Sequence, residues 1–228
     1  MSQVVDLTQP IHPGLVMWPG ASGPTFEVLV NVVPDGFYSR QVTFAEHTGT
    51  HFDAPCHMVD GAPKLHEVDP STLIRPVAVI DISAAVGDDP DATLTLAQVE
   101  AFERQHGPLP PGGVVLLRTG WEDRNTDAEG YAGAPGDLRF PGYGEEAARF
   151  LVEQRQVVGL GVDTLGIDPG AASDFVVHRQ VSHPAGVWHL EGLQNLASVP
   201  PLGATVFVGV LPLVDGSGSP ARVLALVP

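Results

Sequence analysis

One stretch of eleven residues, His47 to His57 (HTGTHFDAPCH), constrains this chain more than any other. It holds three of the nine histidines of the chain and one carboxylate. Its threonines, glycine and proline disfavour a helix. In an extended segment, alternate side chains point to the same face. The stretch therefore predicts that His47, His51 and Asp53 lie on one face at the end of a strand.

Two imidazoles and one carboxylate form a ligand set for a divalent metal ion, since neutral nitrogen and anionic oxygen suit zinc, manganese or iron(II). A single histidine is more often a hydrogen-bonded core or surface residue. Three histidines with an aspartate in this register instead favour a metal site. His57 follows the turn at Pro55, and we expect it near the metal without being a ligand. Cys56 is interpreted as a packed thiol, because the stretch already supplies ligands.

The composition narrows the class of protein. With 228 residues, 43% hydrophobic and 17% charged, the chain can form a sizeable core, and we expect a single compact domain over residues 1–228. The net charge of −16 argues against nucleic acid and anionic membranes as partners, because both need a basic surface. A small-molecule substrate is the expected partner. The single cysteine, with no signal-peptide pattern and no apolar run of membrane-spanning length, suggests a cytoplasmic protein.

Hydrophobic patterning predicts an α/β protein. Buried strands and helices are predicted to alternate in the middle of the chain, with strands at 77–82, 114–118 and 157–163 and helices at 95–106 and 145–154. Thr95 and Gln98 form a capping box at the start of the first helix. Shorter strands are predicted at 4–8, 27–33 and 37–45. We therefore expect a mixed β-sheet or a barrel-like β core flanked by helices.

A second group of acids and histidines lies between residues 163 and 191. Asp163 and Asp168 follow a strand and are interpreted as capping or turn residues. Glu191 lies among apolar residues, so its carboxylate is paired, protonated or bound to a metal. Three histidines of this region are further candidates: His178, His183 and His189. The residues alone do not choose among the three.

The stretch His47 to His57 resembles the signature His-x-Gly-Thr-His-x-Asp-x-Pro-x-His of the metal-dependent cyclase family of hydrolases. That family includes bacterial kynurenine formamidases and isatin hydrolases. All seven fixed positions match. The segments 174–178 and 190–193 resemble two further family elements, and the likeness extends from Asp6 to Arg222. It implies a swivelling β/β/α type of fold.

The resemblance also implies a ligand set. By this likeness the metal is held by five residues: His47, His51, Asp53, His178 and Glu191. One extra residue relative to the family pattern leaves His183 as an alternative to His178. The likeness implies two zinc ions in formamidase-like members and one manganese ion in isatin-hydrolase-like members. We favour zinc, with two ions, because Glu191 is a carboxylate. A homodimer or larger homo-oligomer is also implied.

The predicted reaction is metal-assisted hydrolysis of a carbon–nitrogen bond in a small aromatic amide or formamide similar to N-formylkynurenine. His57 is the predicted general acid and base. Trp18, Phe37 and the long loop at 121–142 are predicted to wall a pocket for the aromatic ring. Three alternatives remain: an isatin-hydrolase-like hydrolase of cyclic amides or lactones, an iron(II) oxygenase, and a non-catalytic, metal-stabilised binding protein.

Overall fold

The fold is built on a closed β-barrel, seen in a computed structural model that describes residues 3–228. The strands are β1 (Gln3–Asp6), β2 (Thr25–Val30), β3 (Ser39–Thr43), β4 (His51–Asp53), β5 (Ile74–Asp81), β6 (Thr93–Leu94), β7 (Val114–Arg118), β8 (Gly133–Ala134), β9 (Asp137–Leu138), β10 (Gly142–Tyr143), β11 (Gly159–Val162), β12 (Trp188–Glu191), β13 (Ala204–Val210) and β14 (Gly218–Val227).

Helices are short and lie around the barrel. The α-helices are α1 (Val32–Asp35), α2 (Ser83–Val86), α3 (Leu96–His106), α4 (Ala128–Ala132) and α5 (Glu145–Arg149). Two π-helical segments span Phe150–Gln154 and Val177–Ser182. Turns of 3-10 helix span Pro55–His57, Leu65–Glu67, Pro70–Leu73, Trp121–Arg124, His183–Ala185 and Leu196–Ser198. Within residues 3–228, none of these helices has both the length and the apolar character needed to cross a bilayer.

Seven strands close the barrel in the order β14, β13, β5, β7, β11, β12 and β4, and β4 pairs back to β14. The neighbours from β5 to β12 run parallel, and the other pairings are antiparallel. Helices α3 and α5 connect successive parallel strands, as parallel pairing requires. The predicted α/β class with a barrel-like core is confirmed.

Two apolar clusters hold the barrel together. One fills its interior with side chains that include Phe52, Leu116 and Leu190. The other packs the outer face of the parallel strands against the helices and includes Leu117 and Leu160. Because successive strand residues point to opposite faces, strands buried on both faces have the continuous apolar runs seen in the sequence.

Local sequence patterns correctly predicted strand β7 and the start of helix α3. Strand β7 has the predicted bounds, and α3 begins after Thr95 as expected. The capping box is present: Gln98 N donates to Thr95 Oγ1 at 3.3 Å, and Thr95 N donates to Gln98 Oε1 at 2.8 Å. Strands β1, β2 and β3 are shorter than predicted.

The prediction of one long loop at 121–142 is wrong. This segment contains a 3-10 turn, α4 and the β8–β9 hairpin. Its aromatic residues anchor it, since Trp121 and Tyr131 are buried. Trp121 Nε1 donates to Tyr131 O at 3.0 Å, and the Tyr131 hydroxyl donates to Asp163 O at 2.8 Å. A few buried aromatic side chains thus fold a stretch whose average composition is polar.

The β2–β3 hairpin differs from the rest of the fold, because within residues 3–228 its strands pair only with each other. Seven large apolar side chains on and beside it are at least 39% exposed: Val28, Leu29, Val32, Val33, Phe37, Tyr38 and Val42. An isolated two-stranded hairpin is marginally stable in water. The hairpin therefore presents an apolar surface that a further contact would stabilise.

Candidate metal centre

The register of the barrel brings the candidate ligands together. Strand β4 lies between β12 and β14, with His51 opposite Glu191 and Asp53 opposite His189. Directly opposed residues share a face of the sheet. Phe52, between the two ligands of β4, points into the barrel. His51, Asp53 and Glu191 therefore lie together on the outer face.

His47 reaches this site by a different route from the one predicted. Strand β3 ends at Thr43, and the chain turns at Gly49, which has φ +64°. A side chain at Gly49 would also be crowded, because its Cβ would lie 3.0 Å from Leu15 Cδ2. The turn places His47 Nδ1 2.6 Å from Asp53 Oδ1. The prediction of a single extended face is thus wrong for His47, although the predicted convergence occurs.

Two buried imidazoles, those of His51 and His178, each approach two buried carboxylates, those of Asp53 and Glu191. His51 Nε2 lies 3.3 Å from both Asp53 Oδ1 and Glu191 Oε2. His178 Nε2, from the second π-helical segment, lies 3.6 Å from Asp53 Oδ2 and 3.4 Å from Glu191 Oε1. Two ligand atoms about 2.1 Å from one tetrahedral ion are about 3.4 Å apart. Asp53 Oδ2 is buried without a hydrogen-bond partner, as expected of an atom meant for a cation. These residues fit a divalent metal ion.

The histidine rings are oriented by partners outside this cluster. His178 Nδ1 lies 2.6 Å from Asp168 Oδ2, and His51 Nδ1 lies 2.9 Å from the carbonyl oxygen of Gly49. Both partners accept hydrogen bonds, so Nδ1 carries a proton in each ring, and Nε2, which faces the carboxylates, would give up its proton to bind a metal ion. Asp168 also accepts from the backbone N–H groups of Val177 and His178. Its interpretation as a capping residue is consistent with this geometry.

The ring of His47 has the opposite arrangement, because its Nδ1, and not its Nε2, faces the carboxylates of the site. Its Nε2 lies 3.0 Å from Ser217 Oγ, and the Ser217 hydroxyl donates to Glu46 Oε2 at 2.7 Å. Because the single hydroxyl hydrogen is directed to Glu46, Ser217 accepts from His47 Nε2. The other ring nitrogen of His47, Nδ1, faces Asp53 Oδ1. Neither Ser217 nor Glu46 was identified from the sequence, since Ser217 is far from His47 along the chain.

Replacing Asp168 with asparagine is expected to weaken metal binding by about 10- to 100-fold, because the carboxylate fixes both the ring and the tautomer of His178. Competition with a fluorescent chelator would measure the change in affinity. Asp174→Asn, at an exposed carboxylate on the same segment, is the matched control. Unchanged affinity in the Asp168 variant would show that His178 needs no carboxylate to bind.

The charges of the cluster are balanced internally. Burial raises the pKa of Asp53, but the charges of His47 and His51 outweigh burial and hold this pKa well below its usual range. Burial and the charge of Asp53 raise the pKa of Glu191, yet hydrogen bonds from His178 and His51 lower it overall. Both carboxylates are therefore anions. Two buried anions need positive charge beside them, from protonated imidazoles or from a bound cation.

His57 lies beside this cluster at the end of the 3-10 turn Pro55–His57. Its ring centroid is 4.0 Å from that of His47, and it forms a potential ligand group with His47 and Asp53. Among residues 3–228, neither ring nitrogen of His57 has a hydrogen-bond partner. Burial lowers the pKa of His57 below its usual value despite the nearby charge of Asp53. A neutral imidazole with free nitrogens can accept a proton.

His183 and His189 do not line the cavity into which the cluster opens, although His189 forms a potential ligand group with Asp53, His178 and Glu191. The His183 ring stacks on that of His178 with centroids 5.2 Å apart, and its Nε2 is 3.2 Å from His189 Nδ1. Burial and the charge of His178 lower the pKa of His183 to about 3, so the ring is neutral. His178, and not His183, faces Asp53 and Glu191.

The cluster opens into a cavity of about 360 Å³. Four of the candidate ligands (His47, His51, His178 and Glu191) and His57 form its floor. Its apolar walls include Val16, Met17, Trp18, Leu165 and Phe175. An apolar cavity of about 150 Å³ holds a benzene ring, so this one accepts a small aromatic molecule. Trp18 lies where it was predicted. Its ring packs 6.2 Å from Phe140 and 6.1 Å from Phe175, measured between centroids.

The other two predicted walls do not line this cavity within the described part of the chain. Phe37 is 60% exposed beside the β2–β3 hairpin. The segment 121–142 contributes only from behind, where Phe140 supports Trp18. Phe175 was missed as a wall residue. Its only signal in the sequence is its position three residues before His178, and that position does not reveal where the ring points.

The fold and the site have counterparts among known proteins. Isatin hydrolase A from Ralstonia solanacearum superposes with a TM-score of 0.94 at 34% identity, covering 100% of this chain and 92% of that chain. An isatin hydrolase of Roseibium aggregatum is 35% identical over 99% of this chain and 92% of its own length. A kynurenine formamidase of Geobacillus thermodenitrificans is 28% identical over 97% and 96%. Together with the buried ligand cluster, these likenesses define a hydrolase with a divalent-metal centre.

The sequence model of one family, described as putative cyclase, matches residues 5–169. The chain belongs to this family. The match contains the whole stretch from His47 to His57 and ends before His178 and Glu191. The place of these last two residues in the site therefore rests on their distances to His51 and Asp53.

Proposed function

We propose that the protein hydrolyses a carbon–nitrogen bond in a small aromatic amide or formamide, and that one domain over residues 1–228 carries this activity. The observation that carries the proposal is the cluster of carboxylates and imidazoles that includes the buried, unpartnered Asp53 Oδ2 and opens into an aromatic-walled cavity through His51, His178 and Glu191. The named relatives, isatin hydrolases and a kynurenine formamidase, support a reaction of this kind. N-formylkynurenine is the first candidate substrate.

The residues of the site have separate roles in metal binding, proton transfer and substrate binding. Five residues would hold the metal: His47, His51, Asp53, His178 and Glu191. A divalent ion held by them would supply an activated water molecule and polarise the substrate carbonyl. His57, neutral and with free ring nitrogens, accepts a proton from the attacking water and returns it to the leaving nitrogen. Trp18 holds the apolar part of the substrate and excludes water.

Two zinc ions fit the ligands better than one. Two carboxylates and three imidazoles exceed what one tetrahedral ion needs. Each carboxylate directs one oxygen to His51 and the other to His178: Asp53 by Oδ1 and Oδ2, Glu191 by Oε2 and Oε1. Carboxylates that present both oxygens in this way would suit a site for two ions. A single manganese ion is the alternative.

The testing experiment is metal analysis of protein purified without a polyhistidine tag, followed by assays with N-formylkynurenine and isatin. The chelated protein is the control. We expect about two zinc ions per chain and chelator-sensitive hydrolysis of the formamide. A metal-loaded protein that hydrolyses neither compound, and no other aromatic amide, would refute the proposal. A large melting shift on chelation without any hydrolysis would favour the non-catalytic, metal-stabilised protein.

A second candidate is ring opening of a cyclic amide such as isatin. It is favoured by the 35% identity to one isatin hydrolase and by the TM-score of 0.94 to another. The same cluster and the same His57 would serve this reaction, since both substrates present a carbonyl bonded to nitrogen. One manganese ion per chain with isatin hydrolysis and no formamidase activity would establish this candidate over the first.

The apolar surface of the β2–β3 hairpin supports a homodimer or larger homo-oligomer, to which Phe37 would contribute. Chains of net charge −16 repel one another, so their contact must use a surface with few charges. We expect Val33→Asp to lower the mass measured by light scattering. Val33 is 84% exposed, and Val214→Asp, at a valine that is 76% exposed elsewhere, is the control. A wild-type mass equal to one chain would refute the oligomer.

A cytoplasmic location is proposed on the single cysteine, Cys56, which excludes an internal disulfide and suits a reducing compartment. The Cys56 thiol packs against the interior cluster and lies 3.6 Å from the carbonyl oxygen of Gly216. Burial raises its pKa, so the thiol is protonated. Fractionation of cells that express the untagged protein would test the location, and recovery outside the cytoplasm would contradict it.

A further inference from the structure

Phe175 has an unusual backbone conformation, with φ +51°. Four non-glycine residues between residues 3 and 228 have positive φ, and Phe175 is the only aromatic one. A positive φ is unfavourable for a residue with a bulky side chain and is adopted most readily by glycine and asparagine. Phe175 is also the only one of the four that lines the cavity.

The cause of this conformation is the start of the second π-helical segment. Asp168 accepts from Val177 N at 2.8 Å and from His178 N at 3.1 Å, and the same carboxylate holds the His178 ring. The helix therefore begins where Asp168 and the metal site require it. The preceding chain turns sharply at Phe175 to enter it. A glycine at this position would satisfy the backbone with less strain, so the phenyl ring itself is the feature to explain.

The ring completes the aromatic wall next to the candidate ligands. Its centroid lies 6.1 Å from that of Trp18, at an interplanar angle of 47°, and 6.3 Å from that of His178, nearly perpendicular. Aromatic pairs in direct contact have centroids 4.5–7 Å apart, so no third ring fits between Phe175 and Trp18. The two rings form one continuous corner that ends at His178.

The outer side of this corner is closed by Arg179, whose guanidinium carbon lies 5.7 Å from the centre of the Phe175 ring. The ring is half-buried between the exposed Arg179 and the buried His178. Because the Phe175 ring contacts that of His178, a flat ring resting in the corner would lie next to the candidate ligand atoms. A group attached directly to that ring would reach them, whereas a compact aliphatic group would leave the corner unfilled.

We propose that Phe175 is a specificity-determining residue that selects ligands whose flat aromatic ring is attached directly to the group at the metal centre. For the reaction that follows binding, the inference rests on the proposed function. The recognition step itself can be measured without turnover, because a carboxylate attached to a ring can occupy the same site.

Binding of benzoate and butyrate to the zinc-loaded protein, measured by calorimetry, tests the inference. We expect Phe175→Ala to raise the Kd of benzoate about tenfold. The Kd of butyrate should change less than about twofold, since butyrate has no ring to lose contact with. Phe175→Tyr should restore benzoate binding. Phe150→Ala is the matched control, because Phe150 also lies under an arginine, 4.2 Å from Arg155, but does not line the cavity.

Phe175→Gly separates the ring from the backbone. Both Phe175→Ala and Phe175→Gly lack the ring, but only glycine relieves the positive φ. We expect both variants to have the same ratio of benzoate to butyrate affinity, and glycine to have the higher melting temperature. If alanine and glycine differ in this ratio, or if Phe175→Ala weakens both ligands equally, the inference is overturned.

Turnover distinguishes this inference from the proposed function. With formanilide and N-butylformamide as substrates, Phe175→Ala should lower kcat/KM about tenfold for the aromatic formamide alone, through KM. A wild-type protein that binds benzoate through Phe175 but hydrolyses no aromatic amide would refute the proposed function and support the inference. If the wild-type protein hydrolyses aromatic amides and Phe175→Ala keeps the same selectivity, the proposed function is supported and the inference about Phe175 is refuted.

Discussion

Asp53→Ala is expected to purify without metal and to lose at least about a thousandfold in kcat/KM. A catalytic metal ion supplies several kcal/mol of transition-state stabilisation, and each 1.36 kcal/mol corresponds to a factor of ten in rate. Asp53 is the residue that both halves of the site share, since its carboxylate faces His47, His51 and His178. Elemental analysis and steady-state kinetics of the same preparation would measure both losses.

The control variants for Asp53 separate charge from packing. Asp53→Asn keeps the shape of the side chain but removes the anion, and we expect it to lose metal as alanine does. Asp60→Ala, at an exposed carboxylate close by in the chain, should keep both metal and activity. Full metal content in Asp53→Ala would show that this residue is not a ligand, and the assignment of the site would have to be abandoned.

His57→Ala is expected to keep its metal and to lose about 10²- to 10⁴-fold in kcat, the usual contribution of a general acid and base. Its ring lies against that of His47 but makes no hydrogen bond to residues 3–228 that would give it a structural purpose. Burial keeps the pKa of His57 below the usual value, so the ring is neutral at neutral pH and is available to accept a proton from the attacking water.

The decisive comparison is between metal content and turnover. His57 can form a ligand group with His47 and Asp53, so a loss of metal in His57→Ala would identify it as a ligand. Normal turnover with full metal would remove its catalytic role altogether. His66→Ala, at an exposed histidine, should change neither quantity.

The regular elements were predictable because their signals are local. The capping box at Thr95 and Gln98 fixed the start of α3, and continuous apolar runs located the buried strands of the barrel. For residues 121–142, the polar average composition led to the wrong prediction of a long loop. Two buried aromatic side chains, Trp121 and Tyr131, outweigh many polar neighbours when they reach the core.

The site was predictable in composition and only partly in geometry. His51 and Asp53 do alternate on one strand, as the period of two requires. His47 reaches them through the turn at Gly49, and Ser217 orients it from 170 positions away in the chain. The contacts of His47 with Asp53 and Ser217 produce no periodic pattern in the sequence, because both depend on how separate segments pack.

The sequence by itself determined which chemical groups are available: a dense stretch of histidines with an aspartate, a glutamate among apolar residues, and strands that can form an α/β barrel. Only the tertiary structure decided which of them meet. The pairing of β4 with β12 places His51 opposite Glu191, and the capping of a helix by Asp168 turns His178 inward and Phe175 into the cavity. Strand register and helix entry are set by contacts between distant segments, so no local pattern encodes them.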